Sequence, residues 1–208
     1  MDKIFVNETI GILQSFVGFY DSIWSPNDTI YYECEEEGIE EDVDFTFDYK
    51  QYQNDICKAY TEAWKSWMQE FISDDIELEF LEVVSPRYYN FENDSCRVKI
   101  RLTQAAEDAI IAKIGKYRNQ LAKWIKENHT SYDGFSSNLS NDIDQWPRRL
   151  FDDNETFQPA YLFCMLYYIV KAEYMSVGGN EDLECDVYNS ICGDISVTSY
   201  MKDIKKVA

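Results

Sequence analysis

Lysine and arginine are missing from residues 4–49, a stretch that carries twelve carboxylates. They are Glu8, Asp21, Asp28, Glu33, Glu35, Glu36, Glu37, Glu40, Glu41, Asp42, Asp44 and Asp48. A surface of one sign selects partners through its field before any contact forms. The lack of cations argues against a binder of nucleic acid or anionic membrane, whose affinity comes from Lys and Arg replacing counterions around phosphates. Histidine is nearly absent too. A Ser-His or Cys-His nucleophile would depend on His129 alone, and its place at a predicted helix end has an ordinary explanation as a dipole-stabilising side chain. No CxxC occurs among Cys34, Cys57, Cys96, Cys164, Cys185 and Cys192, which argues against a zinc site. No glycine-rich phosphate loop is present, since Gly178-Gly179 lacks both the spacing and the following lysine. The longest apolar run, residues 161–170, is about half the length a membrane span requires. The first ten residues lack a basic segment followed by an apolar one, so secretion is not expected, and the cysteines are read as reduced thiols.

What is present is enough to fold. The 208 residues are 45% hydrophobic and 16% aromatic, so the formal charge of −20 does not signal disorder. Residues 7–24 read as strands broken by Gly11 and Gly18. Asp48 is placed to cap a helix, and Tyr52, Ile56, Tyr60, Ala63, Trp67 and Phe71 recur at helical spacing to about residue 72. Residues 76–80 and 96–102 alternate apolar and charged, as half-buried strands do. Their glutamates and bases can pair across strands. Between them lies an eleven-residue connection, too long for a tight hairpin. Thr103 can cap a second helix with Ile110, Ile114, Tyr117, Leu121 and Ile125 as its buried stripe. Residues 131–140 read as a loop and 141–150 as a short helix or turn. Pro159 suits the first turn of a helix over about 158–175 that is apolar on nearly all sides, with Gly178-Gly179 ending it. The expected class is α+β: one domain over 1–208, with a small mixed or antiparallel sheet packed with three or four helices.

Acidic excess returns in residues 152–194, where nine acids face only Lys171, while ten bases gather in residues 97–149. This predicts a dipolar molecule with one strongly negative face. The residues expected on it are Glu33, Glu35, Glu36, Glu37, Glu40, Glu41, Asp42, Asp44, Asp48, Glu181, Asp182, Glu184 and Asp186. A row of carboxylates approximates the field of duplex DNA, which carries about one charge per 1.7 Å. The ordinary explanation of such runs is solubility. Asp142 and Asp144, or Asp44 and Asp48, have the spacing to bind Mg²⁺ with a substrate phosphate. With 39 acids in the chain, such pairs also arise by chance.

Three segments carry a resemblance: GFYDSIW at 18–24, SPRYYNFEND at 85–94, and SYDGF at 131–135 running on to NDIDQW at 141–146. In this order they resemble a loosely defined group of uncharacterised proteins of bacteriophages and mobile elements. The likeness covers roughly the first 150 residues, and the hydrophobic helix and acidic extension beyond have no counterpart in it. The resemblance implies a phage or mobile-element accessory protein acting in the cytoplasm of a bacterial host. It marks Arg87, Tyr88, Tyr89, Asn90, Phe91 and Asp94 as a motif loop and carries no catalytic residue with it.

Three functions follow as expectations. The first is a non-catalytic protein whose acidic face binds a basic host protein, as a nucleic-acid mimic on a restriction or CRISPR-type nuclease, with no cofactor, no direct nucleic-acid binding and no membrane. The second is a small metal-dependent enzyme using Asp94, Asp142 or Asp144 on a phosphorylated substrate. The third is a structural phage protein that oligomerises through exposed aromatics.

Overall fold

Both amphipathic periods and the all-apolar segment of the sequence are realised as helices. The computed structural model describes residues 3–7, 43–84, 95–128, 151, 159–179, 183, 186, 195 and 197–206. Helix α1 spans Tyr49–Phe71. Asp48 starts it as expected: the Gln51 amide donates to Asp48 Oδ1 at 3.1 Å, and the Tyr52 amide to the Asp48 carbonyl at 3.0 Å. Tyr52, Ile56, Tyr60, Trp64 and Met68 are buried along it, continued by Ile72 just past its end, with Cys57 and Thr61 buried beside them. The series from Tyr52 to Ile72 recurs every four residues, and a four-residue step overshoots one helical turn by about 40°. The buried stripe therefore winds around α1, which leaves Ala63, Trp67 and Phe71 only half-buried.

Strands β3 (Ile76–Val84) and β4 (Ser95–Leu102) keep the alternation seen in their sequences. Ile76, Leu78, Val98, Ile100 and Leu102 are buried, whereas Glu77, Glu79 and Arg101 are exposed. Acid and base do meet between the two strands, with Arg97 donating to Glu82 Oε1 at 2.5 Å. Helix α2 (Gln104–Asn128) is capped by Thr103, whose Oγ1 accepts from the Ala106 amide at 3.2 Å. It buries Ile110, Ile114, Leu121 and Ile125. Helix α3 (Pro159–Ser176) buries Leu162, Phe163, Met165, Leu166, Ile169, Val170 and Ala172, so it has almost no solvent face. It ends in a Schellman motif. Gly178 has φ 95°, its amide donates to the Met175 carbonyl at 3.2 Å, and the Gly179 amide donates to the Tyr174 carbonyl at 2.9 Å.

Three further strands belong to the fold: β1 (Lys3–Asn7), β2 (Val43–Phe47) and β5 (Met201–Lys206), the last preceded by a 3-10 turn over Val197–Tyr200. One sheet has the order β1-β4-β3, and the other is the antiparallel pair β2-β5. The class is α+β. The chain divides into two compact units. One comprises Met1–Asn7, Trp64–Leu78 and Lys99–Leu183; the other comprises Glu8–Ala63, Glu79–Val98 and Glu184–Ala208. In the first, α2 and β1 both pack against α3, and Trp124 meets Tyr168 with ring centroids 5.8 Å apart. In the second, Phe47, Tyr52 and Tyr200 form an aromatic trio with centroids 5.3–6.2 Å apart. Cys57 is buried and outside any disulfide. The strands expected over 7–24, the connection over 85–94, and the loop and turn over 131–150 lie outside the described residues, apart from Asn7 at the end of β1.

Candidate functional site

Among the described residues, the densest exposed acid lies where α1 runs into β3. Glu70 is in the last turn of α1, and Asp74, Asp75 and Glu77 follow it; all four are exposed. The local chain path is set by backbone hydrogen bonds. The Ile72 and Ser73 amides both donate to the Met68 carbonyl, the Ile76 amide donates to the Ser73 carbonyl, and Ser73 Oγ accepts from the Asp75 amide at 3.2 Å. Gln69 Nε2 donates to the Ile76 carbonyl at 2.9 Å and ties the turn to the helix. A helix carboxyl end carries roughly half a negative charge and ordinarily gathers Lys or Arg. Here the last turn has no base, and Lys65, a turn and a half earlier, stands 4.0 Å from Glu77. Helix α2 shows the usual arrangement, with Glu107 in its first turn and Lys126 in its last. No basic residue interrupts the six acids of residues 70–82 in the sequence, so the signal was present there as a charge run.

Of the residues expected on the acidic face, Asp44 and Asp48 are placed in β2 and at the start of α1. Asp48 is the helix cap and also accepts from Lys202 Nζ, so its charge is locally matched. The Lys202 hydrogen bond, then the Gln51 amide, hold its carboxyl below the usual carboxylate range. In the β2-β5 register Asp44 stands opposite Lys205 and Thr46 opposite Lys202, with a bulge between. Opposite charges at opposed positions favour a register by roughly 0.2–1 kcal/mol per pair. Asp203 occupies the bulge at φ 55°, and Thr46 Oγ1 donates to Asp203 Oδ2 and to the Lys202 carbonyl, both at 3.2 Å. Asp186 is half-buried. Glu33, Glu35, Glu36, Glu37, Glu40, Glu41, Asp42, Glu181, Asp182 and Glu184 lie outside the described residues, as do Arg87, Tyr88, Tyr89, Asn90, Phe91, Asp94, His129, Asp142 and Asp144.

Two titratable groups, the buried Glu173 and the half-buried Tyr200, are held by side chains far from them in the sequence. Glu173, buried on α3, accepts from Lys113 at 2.8 Å and from Lys116 at 2.9 Å, both on α2. Burial pushes its carboxyl up, but the hydrogen bonds from Lys113 and then Lys116 outweigh burial and bring it below 4.5. This is a structural ion triplet joining two helices, with the Lys116 ammonium also 4.6 Å from the Tyr117 ring centroid. In the other unit, Tyr200 donates to Asp55 Oδ2 at 3.0 Å, and burial together with that bond pushes its phenol up to about 12. Among the described residues no group of three His, Cys, Asp or Glu could hold a metal ion, and no helix is long and apolar enough to cross a membrane. No protein-family model, curated protein or solved structure matches the chain.

Proposed function

We propose that this chain is an acidic binding protein, without catalysis of its own, that docks onto a basic protein at the surface where that protein would hold nucleic acid. The phage and mobile-element resemblance makes a host defence nuclease of the restriction or CRISPR type the natural partner. One observation carries the reading: the exposed carboxylates Glu70, Asp74 and Asp75 at the carboxyl end of α1, with no base in its last turn. Charges of the wrong sign at a helix end are destabilising by roughly 0.3–1 kcal/mol each. Local rules of this kind are broken mainly where function requires it. The arrangement projects a concentrated negative field, and the formal charge of −20 extends that field over the chain. Such a field raises association rates with a cationic cleft and falls away with salt.

The test is displacement of labelled duplex DNA from such a nuclease. The protein competes at low ionic strength and loses potency steeply as salt rises from about 0.1 M to about 1 M, where the screening length shrinks from about 10 Å to about 3 Å. The variant Glu70→Gln/Asp74→Asn/Asp75→Asn competes more weakly than the unaltered protein while melting at the same or a higher temperature. Failure to displace DNA from any basic nuclease at low salt defeats the proposal. So does undiminished competition by the triple variant.

A further inference from the structure

The geometry points to β2 as a docking strand for a lysine-rich extended segment of a partner protein, with β5 as the chain's own occupant of that strand until the partner displaces it. This rests on the reading of the protein as a binder of basic partners and narrows what that partner presents.

The first ground is composition. β5 reads MKDIKK, three lysines in six residues, in a chain with only 19 bases against 39 acids. In the ladder Lys205 stands opposite Asp44 and Lys206 opposite Val43, while the Lys202 ammonium is taken by Asp48 on the flank of β2. The pairing thus lays a lysine-rich strand against one that carries Asp44 and is followed by Asp48, the chemistry expected of the external complex. The second ground is the quality of the fit. β5 pairs only with β2 among the described strands, and isolated two-stranded pairings are marginal in water. Its ladder is broken by a bulge, and Asp203 sits there at φ 55°, a conformation that residues with a side chain rarely adopt. Lys202 and Asp203 are exposed. A foreign strand without the extra residue would pair with β2 unbroken.

The third ground is that the root of β5 is held separately from its end. Tyr200 packs against Phe47 and Tyr52, donates to Asp55, and accepts the Asp48 amide at its carbonyl at 2.9 Å; Met201 beside it is buried. Residues 202–206 can therefore leave β2 while the aromatic anchor stays. The binding mode is strand addition, in which main-chain bonds supply affinity and alternate side chains supply selectivity.

The experiment measures fluorescence anisotropy of a labelled eight-residue peptide alternating lysine and valine, titrated with the full-length protein. An occupied site lowers apparent affinity by the fraction of molecules that are open. Lys202→Glu/Lys205→Glu/Lys206→Glu, which weakens β5, therefore tightens peptide binding by about tenfold if about one molecule in ten is open beforehand. Lys58→Glu/Lys123→Glu/Lys126→Glu changes net charge equally at exposed positions outside β5 and leaves the affinity within about twofold, since salt screens exposed charges that make no contact with the peptide. Asp44→Asn/Asp48→Asn loses the peptide, while the asparagine introduced in place of Asp48 still caps α1. Equal tightening by both triple reversals overturns the proposal, as does unchanged binding to the Asp44/Asp48 variant. A concentration-dependent dimer that disappears with the β5 reversal also overturns it, because it gives β2 to a second copy. If the β5 variant fails to fold, hydrogen exchange on the unaltered protein decides. Peptide must lower protection in residues 202–206 and preserve it in Val43–Phe47; loss in both strands or in neither refutes the exchange. Competition with DNA on a nuclease together with no peptide effect would sink this inference alone, whereas loss of competition sinks the reading beneath it.

Discussion

Two adjacent glycines end α3, and substituting each with alanine separates two physical costs. Gly178 has φ 95°, and a Cβ built there meets nothing within 4 Å. Gly178→Ala therefore costs only the backbone energy, about 1–2 kcal/mol for an L-residue in left-handed geometry. At Gly179 the obstacle is a neighbour. A Cβ there would lie 2.5 Å from Cγ, Cδ1 and Cε1 of Tyr174. That ring has nowhere easy to go, since its centroid is 5.0 Å from Trp67 and 5.9 Å from Phe71, each meeting it edge-on. Overpacking of this kind is destabilising by about 1–3 kcal/mol. For a chain of this length about 1 kcal/mol shifts the melting temperature by roughly 2–4 °C. Thermal unfolding followed by circular dichroism should thus show losses of roughly 2–8 °C for Gly178→Ala and roughly 2–12 °C for Gly179→Ala. The mechanisms part in two further variants. Gly178→Asn loses less than Gly178→Ala, because Asn tolerates the left-handed region. Gly179→Ala becomes nearly silent once Tyr174→Ala has removed the ring, a coupling expected of residues in contact. If Gly179→Ala is equally damaging with and without the Tyr174 ring, the packing argument is wrong.

Glu173, held below 4.5 by its two lysines, adds stability that is complete above pH 4.5 and lost as pH falls through its lowered folded value. Glu173→Gln lowers stability at neutral pH by about 1.5–3 kcal/mol, the range for hydrogen bonds to charged groups, and flattens the loss below pH 4.5; denaturant titrations across pH 3–7 check both. Tyr200 acts at the other end of the scale. Its phenol is pushed up to about 12 from 10.0, so its contribution is whole below pH 10 and lost between 10 and 12. Absorbance titration should find one fewer late-ionising tyrosine in Tyr200→Phe than in the unaltered protein, and the substitution also lowers stability by about 1 kcal/mol.

The helices and two of the strands were legible because each depends on a periodicity that spans many residues. Ile110, Ile114, Leu121 and Ile125 mark α2 without any knowledge of what covers them. The caps Asp48 and Thr103 were legible for the same reason: the donor each one satisfies lies three residues on. β2 does alternate, as Val43, Phe45 and Phe47 around Asp44 and Thr46, but it is only five residues long and closes a stretch dominated by charge. β5 has no such pattern, because the bulge at Asp203 interrupts it and lysine fills half of it. The winding of the α1 stripe was hidden as well. Ala63, Trp67 and Phe71 fit the helical period as well as Trp64, Met68 and Ile72 do, and only the packing distinguishes them. For the site, the acids after Glu70 are visible as a run, yet their meaning depends on the helix end falling there. The matching of Asp48 by Lys202 joins residues far apart in the chain, and no local pattern reports it.

That separation governs how the protein matures. Lys202 and Asp48 are 154 residues apart, and synthesis at about 5–20 residues per second puts about 8–30 s between the emergence of β2 and that of β5. Throughout that interval the nascent chain carries β2 and Asp48 before the strand that will pair with them exists. Loss of residues 202–206, through frameshift or proteolysis, would prolong that condition.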